Sequence, residues 1–269
     1  MKKAYATTLC NGEGYLPGVE ALGGSLRASG TREPMVLMVT PEVRPATRTR
    51  LVEQGWTCHD VEPIVNPNPS TDQMLPRFGA AYTKLRAWQL VEFDRVVFLD
   101  ADTVVLQNVD DLFDRPEIAA APDFFLPDRF SSGVMVLEPS LATFDRMVEL
   151  LAASQSYDGG DQGFLNVFFD RWYAMPVAHR LPVGYNMAHF IFQFLRAHPM
   201  QWEKLRHEIK IVHYLVQKPW RAKSTLSGAS EMWWDAYFSV HPEKAQDWRH
   251  RLHELEDWSF DMLTHWIVG

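Results

Sequence analysis

Four short strand-like segments, three of them largely apolar and all separated by segments of helical periodicity, constrain this chain more than any other feature. Tyr5, Ala6, Thr7, Thr8 and Leu9 form the first, Met35, Val36, Leu37, Met38 and Val39 the second, residues 57–61 the third and residues 95–99 the fourth. Runs of this length, bounded by turn signals, read as strands. Residues 45–54 read as a helix between the second and third runs. Leu85, Trp88 and Val91 are spaced as one face of a helix before the fourth. Strand and helix in alternation predict an α/β sandwich.

The fourth run ends in a pair of carboxylates, Asp100 and Asp102. Side chains one residue apart on a strand point to opposite faces, so these two can share a side only where the strand leaves the sheet. That places them at a sheet edge facing a ligand. Closely set carboxylates repel unless a cation neutralises them, and hard oxygen ligands suit Mg2+ or Mn2+ holding phosphates. The same Asp-x-Asp pattern also occurs as an ordinary turn, so its meaning depends on context.

Composition narrows the partners. The chain has 269 residues, 46% of them hydrophobic, enough for a sizeable core in one large or two small domains. A formal charge of -8, from 34 acidic and 26 basic residues, disfavours nucleic acid and anionic lipid as partners. A small or neutral partner fits better. The apolar stretch after Lys3 is broken by Gly12 and Gly14, unlike a secretory signal, and no segment has the ~18 uninterrupted apolar residues of a membrane span. A soluble, cytoplasmic protein is expected. Cys10 and Cys58 lack CxxC spacing and read as buried thiols without a redox role.

In the second half, residues 118–121 and 133–137 are strand-like, and Ser140 is placed to cap a helix with Leu141, Phe144, Val148 and Leu151 on its apolar face. Another helix is predicted from Asp161, with Phe164, Leu165, Phe168 and Phe169 inward. Asp161 and Gln162 then lie at its positive end, and Gly159-Gly160 before them favours close approach of a ligand. Residues 66–70 form an irregular loop. The end of the chain carries Trp233, Trp234, Tyr237, Phe238, Trp248, Trp258 and Trp266, with Trp248, Leu252 and Leu255 in helical spacing. A helix packed on the body, or on a second subunit in a homodimer, is preferred there to a sugar-stacking site.

Five ordered segments carry a more specific signal: Phe98-Leu99-Asp100-Ala101-Asp102-Thr103, Asp110-Asp111-Leu112-Phe113, Ser132-Gly133-Val134, residues 158–166 around Asp161-Gln162, and residues 213–220 from His213 to Trp220. Together they resemble the glycogenin-like members of glycosyltransferase family 8. The resemblance implies an α/β fold of GT-A type, a Rossmann-like mixed sheet flanked by helices, with a helical aromatic-rich C-terminal tail. It divides the chain into a glycosyltransferase domain over residues 1–225 and a helical extension over 226–269. Within the domain, a nucleotide-binding half covers about 1–122 and an acceptor half about 123–225.

The resemblance also implies an activity. It is retaining transfer of a hexosyl group from a UDP-sugar of the glucose, galactose or N-acetylhexosamine type to a hydroxyl of a small-molecule or saccharide acceptor. Asp100, Asp102 and His213 match the ligands of a Mn2+ ion, with Mg2+ as the alternative. Lys218 matches a lysine on the donor diphosphate, and Lys84 another donor contact. Thr8, Asn11, Tyr15, Ala101 and Ser132 match positions around the nucleotide, and Asp123, Asp158, Asp161 and Gln162 positions near the donor sugar. Asp161, Gln162 and Lys218 are thereby the catalytic candidates, with front-face displacement favoured over a covalent intermediate on Asp161 or Gln162. Cys10 and Ser131 depart from the family's threonine and asparagine, and residues 213–220 are one residue short and lack its glycine. Family members that glucosylate themselves carry a tyrosine soon after the Tyr-Asn matched by Tyr185-Asn186; residues 187–196 contain none, so self-glycosylation is not expected.

Two other classes fit parts of the pattern. Asp100-Ala101-Asp102-Thr103 also matches the motif of haloacid-dehalogenase-type phosphatases, with Asp100 as nucleophile, although it lies far from the N-terminus and lacks the later acidic pair. A non-catalytic nucleotide-sugar-binding protein differs only in turnover.

Overall fold

The computed structural model describes residues 1–10, 12–66, 81–151, 153–154, 156–215, 218–221 and 228–245. Its spine is a six-stranded sheet in the order β3-β2-β1-β4-β7-β6. The strands are β1 (Lys3–Leu9), β2 (Met35–Val39), β3 (Trp56–Asp60), β4 (Arg95–Leu99), β6 (Ala119–Pro122) and β7 (Phe130–Leu137). The first four are parallel, and β7 runs antiparallel to both β4 and β6. All four strand-like segments of the first hundred residues are therefore strands.

Covering both faces explains why β2 and residues 96–99 of β4 are apolar without a break, whereas the edge strand β3 is only partly buried and carries His59 and Asp60. On β4, Val97 and Leu99 pack to one side of the sheet, and Val96 and Phe98 to the other. The first side is filled by α1 (Leu16–Ala28), through Leu16, Val19, Leu22 and Leu26. α2 (Pro45–Glu53) adds Leu51 to the same core. The second side is covered by a short, tightly wound helix, Ala81–Gln89, and by α3 (Leu141–Leu151) and α4 (Asp161–Phe168).

A second, three-stranded sheet is set by β5 (Thr103–Val105), β8 (Met187–Ala188) and β9 (Ile211–His213), in the order β5-β9-β8. Three helices complete that region: α5 (His189–Arg196), α6 (Pro199–Leu205) and α7 (Gly228–Val240). Trp233, Trp234 and Phe238 of α7 are buried in one cluster with Ala21 of α1 and Val212 of β9. Gly24 makes that docking close: a Cβ there would meet the Ala236 carbonyl and Ser239 Oγ, both at 2.7 Å. The helix predicted to pack on the body does so over Gly228–Val240, whereas Trp248, Leu252, Leu255, Trp258 and Trp266 lie outside the described residues.

Several local expectations need correction. Val91 is 51% exposed, because the tight helix carrying Leu85 and Trp88 ends at Gln89 and the chain turns before β4. In α3 the Ser140 cap is present, with Ser140 Oγ accepting from Thr143 N at 3.3 Å. Its inner face is Phe144, Met147 and Leu151, while Leu141 and Val148 face outward. At 3.6 residues per turn Met147 and Leu151 fall to one side of Phe144 and Val148 and Leu141 to the other, and it is the Met147–Leu151 side that meets the sheet. Cys10 and Cys58 are half-buried rather than buried, and neither forms a disulfide. No helix among the described residues is long and apolar enough to cross a membrane.

Candidate functional site

β1 and β4 are neighbours in space, but the chain leaves β1 toward β2 and returns to β4 from β3. Ligands of open α/β sheets bind beyond the carboxyl ends of strands at such a switch of direction. Asp100 is the first residue after β4. Its amide donates to the Gly133 carbonyl at 2.8 Å, holding it to β7. The chain then turns, with Thr103 N and Oγ1 both donating to the Asp100 carbonyl. Asp102 is fixed from the other side, its carbonyl accepting from Tyr214 N at 2.9 Å.

The second sheet delivers the third member. Thr103 is paired with His213 between antiparallel β5 and β9, so a residue from late in the chain lies beside the acidic turn. One ligand atom each of Asp100, Asp102 and His213 can be chosen so that all lie within 4.8 Å of one another. His213 Nε2 is 3.2 Å from Asp102 Oδ1 and 3.9 Å from Asp100 Oδ2. Its Nδ1 is 2.9 Å from Asn186 Oδ1. With the Nδ1 proton donated to Asn186, the Nε2 lone pair is aimed at the carboxylates, the tautomer and orientation that a metal ligand needs. The donor set therefore fits a divalent cation, for which Asp100, Asp102 and His213 form the candidate site.

Gly133 is what lets the ring lie there. A Cβ at this position would be 2.2 Å from His213 Cε1 and 2.4 Å from Nδ1. Asn186 and Gly133 both fall in segments that the sequence singles out, yet their support of His213 was not legible there. The contact joins residues 133 and 213 across two sheets.

Two lysines balance the acidic groups. Lys84 is buried, with Nζ 2.9 Å from Asp100 Oδ1, 2.6 Å from Asp161 Oδ2 and 3.2 Å from Ser132 Oγ. Burial opposes its charge, but the two carboxylates outweigh it and raise its pKa. Lys218 pairs with Asp102 and donates to the Tyr214 carbonyl at 2.7 Å. Burial would raise Asp102 as well, yet Lys218 and His213 hold it well below the ordinary carboxylate range. Asp100 goes the other way: desolvation raises it, with Asp102 adding to the rise and Lys84 opposing it. Behind His213, His189 is lowered to about 4, first by burial and then by the nearby His213 and Lys218.

Asp161 and Gln162 begin α4, where the sequence places them. Asp161 Oδ2 accepts from Ser132 Oγ at 2.8 Å, and Gln162 Oε1 accepts from Ser132 N at 3.2 Å. Gln162 Nε2 donates to Asp123 Oδ2 at 2.9 Å and lies 3.2 Å from Tyr157 OH. Asp123 thus reaches this cluster through Gln162. Asp158 does something else: its Oδ1 accepts from Gly160 N and Gly163 N at 2.9 and 3.0 Å, fastening the loop into α4. Tyr82 adds to the fastening by donating to the Gly160 carbonyl at 2.9 Å.

Thr8 is half-buried near the end of β1, and Tyr15 packs edge-on against Trp220 at 5.6 Å with Lys218 Nζ 5.7 Å from its ring centre. Trp220 Nε1 donates to the Gly14 carbonyl at 3.0 Å, joining the two loops. The Ala101 carbonyl is turned toward α1, where a Cβ on Gly18 would come within 2.2 Å of it. Ser131 is buried. Asn11 lies outside the described residues.

A family model for glycosyl transferase family 8 matches residues 6–123. Glycogenin-1 of Caenorhabditis elegans is 36% identical over 239 residues, covering 87% of this chain and 55% of its own length. Glycogenin-1 of Homo sapiens is 35% identical over 251 residues, covering 86% of this chain and 70% of its own length. The chain thus spans little more than half of the nematode protein. Among solved structures, the apo form of the glycosyltransferase GlyE of Streptococcus pneumoniae TIGR4 superposes with a TM-score of 0.64 over 92% of this chain and 64% of that chain, at 21% identity, a likeness of fold. The sequence match spans the acidic pair and most of the chain around it, which leaves the phosphatase alternative without support. By the mixed sheet, the triad at its switch point and this extent of identity, the chain belongs to glycosyl transferase family 8.

Proposed function

We propose that the protein is a retaining glycosyltransferase that moves a hexosyl group from a UDP-sugar to a hydroxyl of a separate small-molecule or saccharide acceptor, with Mn2+ bound by Asp100, Asp102 and His213. The observation that carries this reading is the convergence of that triad with Lys84 and Lys218 around one point at the carboxyl end of β4. Three carboxylates, counting Asp161, face two ammonium groups there. One divalent ion would turn the remaining negative charge into a net positive one and bind a diphosphate, supplying Lewis-acid stabilisation of its negative charge. Oxygen ligands joined by one imidazole favour Mn2+ over Mg2+, with Mg2+ as the alternative ion.

In this reading Lys218 exchanges its partner Asp102 for the departing diphosphate, placing positive charge where negative charge develops. Lys84 stays between Asp100 and Asp161, its ammonium shared by the two carboxylates. That pairing supports the front-face path. The Asp161 oxygen that Lys84 and Ser132 both hold is a poor nucleophile, and both ends of the Gln162 amide are engaged. The acceptor oxygen bonds to the anomeric carbon on the face from which the diphosphate leaves, the bond to the diphosphate oxygen breaks, and the acceptor proton passes to that oxygen. Asp161 and Gln162 orient the sugar. Self-glycosylation is disfavoured because residues 187–196, where self-glycosylating family members carry their tyrosine, contain none.

The test is a panel of UDP-sugars with and without Mn2+, read by thermal stabilisation and by slow hydrolysis of the donor. One UDP-sugar should stabilise the protein only with the metal, and Asp102→Asn should abolish both effects. Stabilisation that ignores the metal, or binding without any turnover, would reject the reading.

A further inference from the structure

Three phenylalanine rings gather at the edge of the site, Phe124 and Phe125 exposed and Phe190 half-buried. Phe124 is 53% exposed and Phe125 75%, with Leu126 beside them at 45%. Phe124 lies 5.1 Å from Phe125 and 5.5 Å from Phe190, edge to face, and Phe125 is stacked with Phe190 at 6.3 Å. The rings come from two distant segments, the connection between β6 and β7 and the first turn of α5, so the fold gathers them. Isolated exposed apolar residues need no explanation, but a contiguous set held in place marks a surface that binds something.

The platform is tied to the reaction centre on two sides. Asp123 Oδ1 accepts from Phe125 N at 2.8 Å and Leu126 N at 3.0 Å, which shapes the loop presenting the rings. The other oxygen of the same carboxylate holds Gln162 at 2.9 Å. On the opposite side Phe190 meets the His189 ring edge-on at 5.6 Å, and His189 stacks on Tyr214 at 5.7 Å, next in sequence to His213. The rings thus begin one side chain away from Gln162 and two rings away from the residue after the metal ligand. An occupant reaching from them to the donor sugar is the acceptor.

Ring chemistry decides what kind. Phenylalanine offers a face and an edge but no hydrogen-bonding tip, so these three residues favour an aromatic, apolar body over the hydroxyls of a free sugar. We propose that Phe124, Phe125 and Phe190 form an acceptor subsite for an aromatic group, and that the acceptor is an aryl-bearing molecule, such as an aryl glycoside, whose hydroxyl then lies toward Asp161 and Gln162. The proposal rests on the glycosyltransferase reading and names the acceptor class for the same site. It adds no chemical step to the transfer described above.

The experiment compares 4-nitrophenyl and methyl glycosides of the same hexoses, measuring their dissociation constants with the full chain in the presence and absence of UDP and Mn2+. The aryl compounds should bind at least about tenfold more tightly, a difference of ~1.4 kcal/mol. Phe125→Ser should erase that preference and leave the methyl glycosides and Mn2+-dependent UDP binding unchanged. Phe125 is largely exposed, so this substitution spares the core. Phe190→Ser should act in the same direction. Equal affinity for aryl and methyl compounds, or a preference that survives Phe125→Ser, would overturn the proposal. So would a change from dimer to monomer on Phe125→Ser, by sedimentation, with aryl preference retained, because the rings would then be a subunit interface. Aryl preference in a protein that binds no UDP would instead count against the donor reading and leave the platform standing.

Discussion

Gly133→Ala tests the construction of the site with the smallest available change. The added Cβ would sit 2.2 Å from His213 Cε1, whereas ordinary contact begins at 3.4 Å, so the imidazole or the strand must yield by 3.4 − 2.2, about 1.2 Å. Neither movement is harmless. A ring shift pulls Nε2 off the point it shares with the carboxylates, and a strand shift drags Asp100, whose amide is bonded to the Gly133 carbonyl at 2.8 Å. Metal ligands tolerate about 0.2 Å, and loss of mere supporting contacts lowers metal affinity about 10–100-fold. A displacement of this size should weaken Mn2+ by about 100-fold or more, ~2.7 kcal/mol. Overpacking should also lower stability by about 1–3 kcal/mol.

The assay is Mn2+ titration followed by the electron paramagnetic resonance signal of free Mn2+, with urea unfolding of the metal-free protein alongside. His213→Ala supplies the second arm of a double-mutant cycle. It should weaken Mn2+ similarly, and in its background Gly133→Ala should destabilise far less, because the atoms in conflict are gone. Wild-type Mn2+ affinity in Gly133→Ala would refute the reasoning. Equal destabilisation by Gly133→Ala with and without the imidazole would refute the assigned clash.

Other parts of the molecule give further expected outcomes. Asn186→Ala should lower Mn2+ affinity by about 10–100-fold while Asn186→Asp, which keeps the acceptor oxygen, should retain most of it, both measured by the same titration. Trp233→Ala should cost about 3–5 kcal/mol in urea unfolding, since the ring is fully buried between α1, α5 and α7. For His189, a folded pKa of about 4 against an ordinary 6.5 means that the unfolded chain binds more protons between those values. Its contribution to stability is complete above about pH 6.5 and is lost as pH falls toward 4, by up to about 3 kcal/mol. Unfolding curves across that window should flatten in His189→Gln; an unchanged slope would remove His189 as the cause.

Much of the first half of the fold was legible because its signals are local. Residues 35–39 and 95–99 are strands with the bounds read from the sequence, since a strand buried on both faces must be apolar throughout. The Ser140 cap and the start of α4 at Asp161 were likewise readable from neighbouring residues. Faces were less secure, as Val91 and Val148 show, because hydrophobic spacing does not reveal where a helix ends or which side meets the sheet. The acidic pair announced a cation site, but the role of Asp158 as a loop fastening could be seen only once Gly160 and Gly163 were placed around it.

What the sequence by itself determined was the alternation of buried strands and helices, and a pair of carboxylates where one strand ends; both depend on residues adjacent in the chain. The family resemblance named His213, Lys84 and Lys218 beside that pair, but only the tertiary structure decided how these distant groups reach it and what holds them there. His213 arrives through strand pairing with Thr103, Gly133 makes room for its ring, Asn186 turns it, and Lys84 and Lys218 balance the charge. The reason is physical: pairing and packing between distant segments fix those distances, and no local pattern encodes them.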